Sequence, residues 1–165
     1  MIYFIADTHH HHKNVIRFDN RPFSNIYEMD NAIIANWNSI VKPNDTVYHL
    51  GDVAMSGKQQ AKAIVDKLVG KIILISGNHD KKCASKLSRF ETIKDMDVIY
   101  YKEFSIHLCH YPIESWFRKN HNQYHLHGHS HGKAQILKNR LDMFCGNWNY
   151  TPVSIETIFE KFQNQ

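Results

Sequence analysis

The sequence predicts an α/β fold in which helices cover two packed β-sheets, and two observations lead to this prediction. Before Phe90, short apolar segments alternate with longer segments of helical periodicity, the order expected for parallel strands joined by right-handed crossovers. After Phe90, short apolar segments follow one another with fewer helical segments between them, which indicates a second, strand-rich sheet. The chain has 165 residues, of which 42% are hydrophobic, so one domain over 1–165 with its own core is expected.

The first half is expected to contain three strands and two helices. Asn25 and Glu28 are spaced as in a capping box, and the apolar residues that follow recur at intervals of three and four. Gly70 is expected to end the second helix, because glycine adopts the conformation that terminates helices. In chain order the expected elements are the strand Met1–Ala6, the helix Asn25–Ile40, the strand Thr46–Leu50, a helix from Ser56 or Gly57 to Val69, and the strand Lys71–Ile75.

The second half is expected to contain four short strands, one short helix and a closing helix. Ser154 precedes the last amphipathic segment and is the residue type that caps helices. The expected strands are Asp97–Lys102, Phe104–Cys109, Gln123–His127 and Arg140–Phe144, and the expected helices are Ile113–Lys119 and Ser154–Phe162.

Composition argues against several classes of protein. No apolar segment approaches the roughly 18 residues that a membrane span needs, and Met1–Ala6 lacks the basic region of a signal peptide. Cys83, Cys109 and Cys145 form no C-x-x-C pair, which fits a reducing compartment and excludes a thiolate zinc site. The sequence therefore predicts a cytoplasmic protein with no membrane partner, and its net charge of +4 is compatible with an anionic substrate.

Histidine is the unusual residue here, with 13 in the chain. Residues that bind metals follow several of the predicted strands, and the carboxyl ends of parallel strands meet at one edge of a sheet. Carboxylate, imidazole and amide donors without thiolate favour Mn, Fe, Zn or Ni. Seven candidates exceed the needs of one tetrahedral ion and suit two ions that share a carboxylate. The candidate ligands are Asp7, His9, Asp52, Asn78, His110, His129 and His131.

Five motifs occur in order between Asp7 and His131: D-x-H, G-D, G-N-H, a lone H, and G-H-x-H. In this the sequence resembles the calcineurin-like metallophosphoesterase superfamily, and the segment Asp7–Phe23 looks closest to its small bacterial and phage-type members. The resemblance implies two mixed sheets flanked by helices in a four-layer sandwich. It also implies a hydrolase of phosphate esters with a binuclear metal centre, in which manganese is the expected metal and Fe, Zn or Ni are alternatives.

The resemblance also implies a role for each motif residue. Asp52 would be shared by the two ions and would offset their repulsion. A hydroxide held between the ions would attack phosphorus in line, and His79 would face the substrate and stabilise or protonate the leaving oxygen. The first ion would be held by Asp7, His9 and His131, and the second by Asn78, His110 and His129.

One departure from the family bears on the substrate. Protein phosphatases extend the second motif to G-D-x-x-D-R, whereas Met55 and Ser56 occupy the last two positions here. This argues against a phosphoprotein and favours a phosphodiester or a small nucleotide, with a phosphomonoesterase as the alternative and nucleic acid still open as a partner. The group that orients His79 is not identified by the motifs, and the oligomeric state is left open.

Two other interpretations and three residue roles stand beside this one. A catalytically silent metal-binding scaffold of the same fold is disfavoured because His79 and the full ligand set are present. An all-helical phosphohydrolase of the HD type, which His79-Asp80 would suggest, is disfavoured by the predicted strands. His12, Arg17 and Arg21 lie near the first motif, and each is left open between a substrate contact and a structural role.

Overall fold

The structure is a computed structural model that describes residues 1–82, 84–121 and 123–163. Two sheets and four α-helices form its framework. The helices are α1 (Lys13–Phe18), α2 (Ile26–Ile40), α3 (Lys58–Val65) and α4 (Ile155–Gln163). The strands are β1 (Ile2–Ile5), β2 (Thr46–His49), β3 (Lys71–Ile75), β4 (Thr92–Lys94), β5 (Met96–Tyr101), β6 (Phe104–Cys109), β7 (Gln123–His127), β8 (Arg140–Asp142) and β9 (Val153–Ser154).

The strand order of the first sheet is β4-β3-β2-β1-β9, and that of the second is β5-β6-β7-β8. Strands β1 to β4 run parallel to one another, while β9 runs antiparallel to β1. In the second sheet β5 is antiparallel to β6, and β6, β7 and β8 are parallel. Both sheets are therefore mixed, and the predicted α/β fold of two sheets flanked by helices is confirmed.

The core lies on both faces of the first sheet. On one face, Val47 of β2 belongs to the same buried cluster as Trp37 of α2 and Val65 of α3. On the other face, Phe4 of β1 packs with Leu126 of the second sheet and with α4. Successive strand residues point to opposite faces, so the apolar strands Ile2–Ile5 and Lys71–Ile75 supply side chains to both layers.

Helix α2 begins as the sequence predicts. The Asn25 side chain accepts hydrogen bonds from the backbone N–H groups of Tyr27 and Glu28, both at 3.0 Å. The Glu28 carboxylate accepts from Ser24 N–H at 2.8 Å, one residue before the position that a capping box would use. The cap is therefore confirmed, with its second hydrogen bond displaced by one residue.

The helix predicted over Ile113–Lys119 is wrong, because this segment forms turns. Arg118 has a φ of 54°, a left-handed conformation that a right-handed helix does not contain. The indole N–H of Trp116 donates to the Gln123 carbonyl, and its ring lies 5.4 Å from that of His125. This turn segment thus packs against β7 of the second sheet.

Several boundaries also differ from the prediction. Helix α3 ends at Val65 and not at Val69, because the next residues form a tighter turn in which Leu68 N–H bonds to the Val65 carbonyl. Strand β8 stops before Phe144, which pairs instead with Ala6 at the junction of the two sheets. Helix α1 and strands β4 and β9 were not predicted, since each is too short for its periodicity to be recognised.

Cys109 and Cys145 are free and buried, and Cys83 lies outside the described residues. Burial raises the pKa of both described thiols, that of Cys145 to about 12, which makes them poor nucleophiles. Among the described helices, none has the length and apolar character needed to cross a bilayer.

Candidate metal centre

The predicted site residues lie where the strands of both sheets end. Asp7 lies two residues after the end of β1, and Asp52 and Asn78 lie in the loops that follow β2 and β3. His110 and His129 come after β6 and β7 of the second sheet. Backbone hydrogen bonds join these loops, including Asp7 N–H to the Gly51 carbonyl and Gly128 N–H to the His110 carbonyl. The parallel strands of the two sheets therefore deliver all seven candidate ligands to one edge, as the sequence predicts.

Five of the candidate ligands have a backbone conformation that is uncommon outside glycine. Their φ angles lie between 48° and 68°. Such conformations cost on the order of 1–3 kcal/mol each and cluster at functional sites. These residues are Asp7, His9, Asp52, His129 and His131.

The first group of candidate ligands consists of Asp7, His9 and His131. The Nε2 atoms of the two histidines lie 3.1 Å apart, and His131 Nε2 lies 3.7 Å from Asp7 Oδ1. One donor atom from each residue falls within 4.8 Å of the others, so the group could hold a metal ion. These are the three residues that the family resemblance assigns to the first ion.

The second group consists of Asp52, His110 and His129, whose donor atoms also lie within 4.8 Å of one another. Asn78 joins it, because its Oδ1 atom is 3.0 Å from both His110 Nε2 and His129 Nδ1. Asp52 stands between the groups. Its Oδ2 atom is 3.6 Å from Nε2 of His9 and 3.6 Å from Nε2 of His110.

The hydrogen bonds of two histidines test whether this arrangement fits cations. His110 donates from Nδ1 to the Leu50 carbonyl at 2.8 Å, so its Nε2 atom presents a lone pair toward Asn78 Oδ1. His131 donates from Nδ1 to the Asp19 carboxylate at 2.9 Å, so its Nε2 atom presents a lone pair toward His9. Lone pairs that converge at such distances repel one another, and a divalent cation among them removes this repulsion. The residues fit two metal ions.

Burial sets the protonation of the group. Burial raises the pKa of the Asp7 carboxyl well above its usual value, although a hydrogen bond from His129 N–H opposes the change. Burial, and then the neighbouring His131, lower the pKa of His9 well below its usual value. Burial and His110 likewise lower the pKa of His129. The neutral imidazoles have free lone pairs for a cation, whereas the Asp7 carboxyl, whose pKa is raised, would release its proton when a cation binds, because metal ligands must be deprotonated.

Asp19 and Arg21 support the first group from behind. Arg21 is 4% exposed, and its guanidinium donates to the carbonyls of Asp7 and Thr8 at 2.9 Å each and to Asp19 at 3.1 Å. Arg21 is therefore a buried structural residue, since its donors are occupied and it is not among the residues that line the cleft. The motifs contain no signal for Asp19, because its partner His131 is 112 residues away in sequence.

Asp80 joins two of the loops. Its carboxylate accepts from the backbone N–H groups of Asp52 at 2.7 Å, Gly77 at 2.8 Å and Val53 at 2.9 Å. Burial raises the pKa of Asp80, and the hydrogen bonds from Gly77 and Val53 oppose this change. In the sequence, Asp80 is marked only as part of a possible HD motif. Its position directly after G-N-H was the available signal.

Two glycines leave room for candidate ligands. A Cβ atom added to Gly77 would lie 2.3 Å from Asp52 Oδ1, and one added to Gly128 would lie 2.6 Å from Asp7 Oδ2. Both distances are far shorter than a van der Waals contact. The glycines of the G-N-H and G-H-x-H motifs are thus required for close approach of the carboxylates.

His79 lies at the edge of the centre and outside both ligand groups. Its side chain is 39% exposed, and its Nε2 atom is 3.9 Å from Asp52 Oδ2. Its backbone N–H donates to Asp52 Oδ1 at 3.0 Å, and its ring lies 5.5 Å from that of His9 at an angle of 69°. His79 therefore lines the cleft beside the two groups.

The centre opens into a cleft of about 450 Å³. His12 lines it, and its Nδ1 atom accepts from Val15 N–H at 3.2 Å, which caps α1. Arg17 is exposed and stacks on Phe18, with its guanidinium carbon 5.4 Å from the ring centroid. Beyond the candidate ligands and His79, the lining residues are His12, Val15, Phe18, Asp19, Ser130 and Lys133.

Comparison with known proteins agrees with the motifs. A sequence model described as the calcineurin-like phosphoesterase superfamily domain matches residues 1–144, which include all seven candidate ligands. The uncharacterized protein MJ1445 of Methanocaldococcus jannaschii is 35% identical over 166 residues, covering 95% of this chain and 88% of its own. This confirms the resemblance stated from the motifs.

Solved structures provide a second comparison. The protein of unknown function AQ665 from Aquifex aeolicus has a TM-score of 0.76 at 28% identity, and the match covers 97% of this chain and 98% of that one. The E. coli phosphoesterase Yfce has a TM-score of 0.47 at 15% identity, over 87% and 77% of the two chains. The fold of AQ665 is therefore similar along nearly the whole chain.

Proposed function

We propose, since this chain belongs to the calcineurin-like phosphoesterase superfamily, that it hydrolyses a phosphodiester or a small nucleotide and requires two divalent ions. The observation that carries the proposal is the position of Asp52 Oδ2, 3.6 Å from one nitrogen of each ligand group. A carboxylate shared between two sets of donors is the arrangement that a two-ion site needs.

The roles of the residues follow from their contacts. Asp7, His9 and His131 would hold the first ion, Asn78, His110 and His129 the second, and Asp52 both. When bound, two such ions polarise the phosphoryl group and make a nucleophile available from water near neutral pH. Manganese, iron, zinc and nickel all suit donors of this type.

His79 lies at the open side of the centre. Its imidazole is partly exposed to the cleft, and its backbone is tied to Asp52 by a hydrogen bond of 3.0 Å. A group in this position donates its proton to the leaving oxygen as the ester bond breaks. His79 is therefore the proposed general acid.

The cleft supports a small ester over a phosphoprotein. Its volume of about 450 Å³ falls within the range of about 300–1,000 Å³ that holds small ligands. His12 and Lys133 line it and offer hydrogen-bond donors to phosphoryl oxygens. Met55 and Ser56 replace the aspartate and arginine that the protein-phosphatase motif would place after Asp52.

The test measures ion content and turnover in the same samples. The purified protein is stripped with EDTA, reloaded with Mn²⁺, and assayed with bis-(p-nitrophenyl) phosphate and p-nitrophenyl phosphate. We expect two ions per chain, faster turnover of the diester, and loss of turnover with EDTA. Asp52→Asn should reduce both ion binding and turnover, while Asp97→Asn, which affects a surface pair with Lys94, should change neither.

Three results would each contradict part of the proposal. One ion per chain at saturation would exclude the shared carboxylate. Faster turnover of the monoester would show that the protein is a phosphomonoesterase. Full ion binding without turnover of either ester would assign a silent scaffold.

A further inference from the structure

Helix α1 places an aromatic ring beside the candidate metal centre. Val15 in this helix is buried in a cluster with Met29 and Ile33. Phe18, three residues later, lines the cleft and is 56% exposed. The buried anchor at Val15 fixes the helix, so the position of the Phe18 ring is determined by the fold.

The neighbours of Phe18 hold its ring in a defined orientation. The Arg17 guanidinium carbon lies 5.4 Å from the ring centroid, within the range of a cation–π contact. The His12 ring lies 6.2 Å away at an angle of 74°. The ring of Phe18 is thus presented to the cleft with one cation already stacked on it, and little ordering is needed when a ligand binds.

His12 connects this ring to the first ligand group. Its Nδ1 atom accepts from Val15 N–H, so the proton of the neutral imidazole lies on Nε2, which remains able to donate. Its ring is 5.7 Å from that of His9. A ligand whose phosphoryl group lies at the ligand groups would therefore meet a hydrogen-bond donor first and a flat apolar surface next.

We infer that Phe18 stacks on the base of a nucleoside phosphate ester whose phosphoryl group lies at the two ligand groups. The inference rests on the proposed function and names its substrate class. A planar base fits the exposed ring of Phe18, and every nucleobase has a face that can stack. Arg17 strengthens the contact because a guanidinium also stacks on π systems.

The first experiment compares two diesters that share a leaving group. Thymidine 5′-(p-nitrophenyl phosphate) carries a base, and methyl p-nitrophenyl phosphate does not. We expect the Mn²⁺-loaded protein to prefer the thymidine ester, and Phe18→Leu to lower that preference in kcat/KM about tenfold, within the range for one base stacked on an aromatic side chain. Phe18→Trp should restore the preference, because it restores a flat ring.

This experiment has a control variant and two outcomes that would contradict different parts of the argument. Phe117→Leu alters another exposed phenylalanine, which is not among the residues that line the cleft, and should leave the preference unchanged. Equal loss for both esters in Phe18→Leu would overturn the stacking role. If neither ester is hydrolysed by the loaded wild-type protein, the proposed function itself fails.

A binding experiment separates recognition from turnover. In the Mn²⁺-loaded His79→Ala protein, calorimetry compares adenosine 5′-monophosphate with ribose 5-phosphate, which lacks the base. Adding Phe18→Leu should lower the affinity for adenosine 5′-monophosphate about tenfold and leave the affinity for ribose 5-phosphate unchanged. An unchanged affinity for both ligands would overturn the inference. A short single-stranded oligonucleotide is titrated in parallel to identify the source of the base. Tighter binding of the oligonucleotide than of the mononucleotide would indicate a nucleic-acid strand, and weaker binding would indicate a small nucleotide.

Discussion

The carboxylate of Asp19 lies 2.9 Å from Nδ1 of His131 and keeps the imidazole proton on the side away from the first ligand group. Arg21 holds this carboxylate in place with a hydrogen bond of 3.1 Å. Phe144 stacks on the His131 ring. The two rings are nearly parallel, and their centroids lie 5.0 Å apart. His131 is therefore fixed in both tautomer and orientation before any ion binds.

Asp19→Asn is expected to weaken the binding of only one of the two ions. The amide can still accept a hydrogen bond from His131, but the negative charge that makes Nε2 more basic is lost. Affinity for the first ion should fall roughly 10- to 100-fold, and affinity for the second should stay the same. Calorimetric titration with Mn²⁺ measures both, with Asp66→Asn on the surface of the molecule as the matched control. An equal loss of affinity for both ions would show that Asp19 acts on the fold as a whole.

Asp80→Asn is expected to destabilise the metal-free protein. The carboxylate accepts three backbone N–H groups, and an amide would turn its own N–H toward at least one of them. A buried donor left without an acceptor is costly, so the free energy of unfolding should fall by about 3 kcal/mol. Urea denaturation in EDTA measures this, and Asp97→Asn should stay within about 0.5 kcal/mol of the wild type. Unchanged stability would rule out a structural role for this carboxylate.

His79→Ala is expected to retain both ions and lose turnover. The loss should be larger for an alkoxide leaving group than for p-nitrophenolate, because a poor leaving group depends more on protonation. Rates for the two ester types, with ion content measured on the same samples, give this comparison. His121→Ala, in an exposed turn, serves as the control. The same loss for both leaving groups would exclude general-acid catalysis by His79.

His125 is expected to make stability depend on pH. Ile113 N–H donates to its Nε2 atom, and its Nδ1 atom donates to the His107 carbonyl. Burial lowers its pKa to about 4, although the carbonyls of His107 and Tyr111 partly oppose the change. Between about pH 6.5 and 4 the unfolded chain binds this proton and the folded chain does not. The stabilising contribution is thus complete above about pH 6.5 and is lost as the pH falls through 4.

Urea denaturation between pH 4.5 and 7 tests this expectation. His125→Asn should lower the number of protons taken up on unfolding by up to one, and His121→Asn should not change it. An unchanged number in His125→Asn would mean that this histidine titrates alike in both states.

The sequence was sufficient to predict that the candidate ligands lie together, because of how the fold is built. Asp7, Asp52 and Asn78 each follow a strand that is recognisable from its apolar residues, and parallel strands end at one edge. The five motifs therefore predicted which side chains the structure brings together. Their distances could not be predicted, since they depend on how the two sheets pack.

Other parts of the site leave no local pattern. Asp19 bonds to a histidine 112 residues away, and Arg21 bonds to two backbone carbonyls as well as to Asp19, and carbonyls carry no sequence signal. Helix α1 spans six residues and is capped by a histidine, which is not among the usual capping residues. The helix expected over Ile113–Lys119 failed for a different reason, because Arg118 has a left-handed backbone and Trp116 packs against β7 from a turn.

The close approach at Gly77 and Gly128 means that two apparently passive positions are as constrained as the acidic residues they face. A single methyl group at Gly77 would occupy space now filled by Asp52 Oδ1, 2.3 Å away. Gly77→Ala should therefore mimic the loss of Asp52 in ion titrations, although no donor atom is removed. Each glycine and the aspartate it faces share the same space, so a substitution of the glycine also displaces the carboxylate.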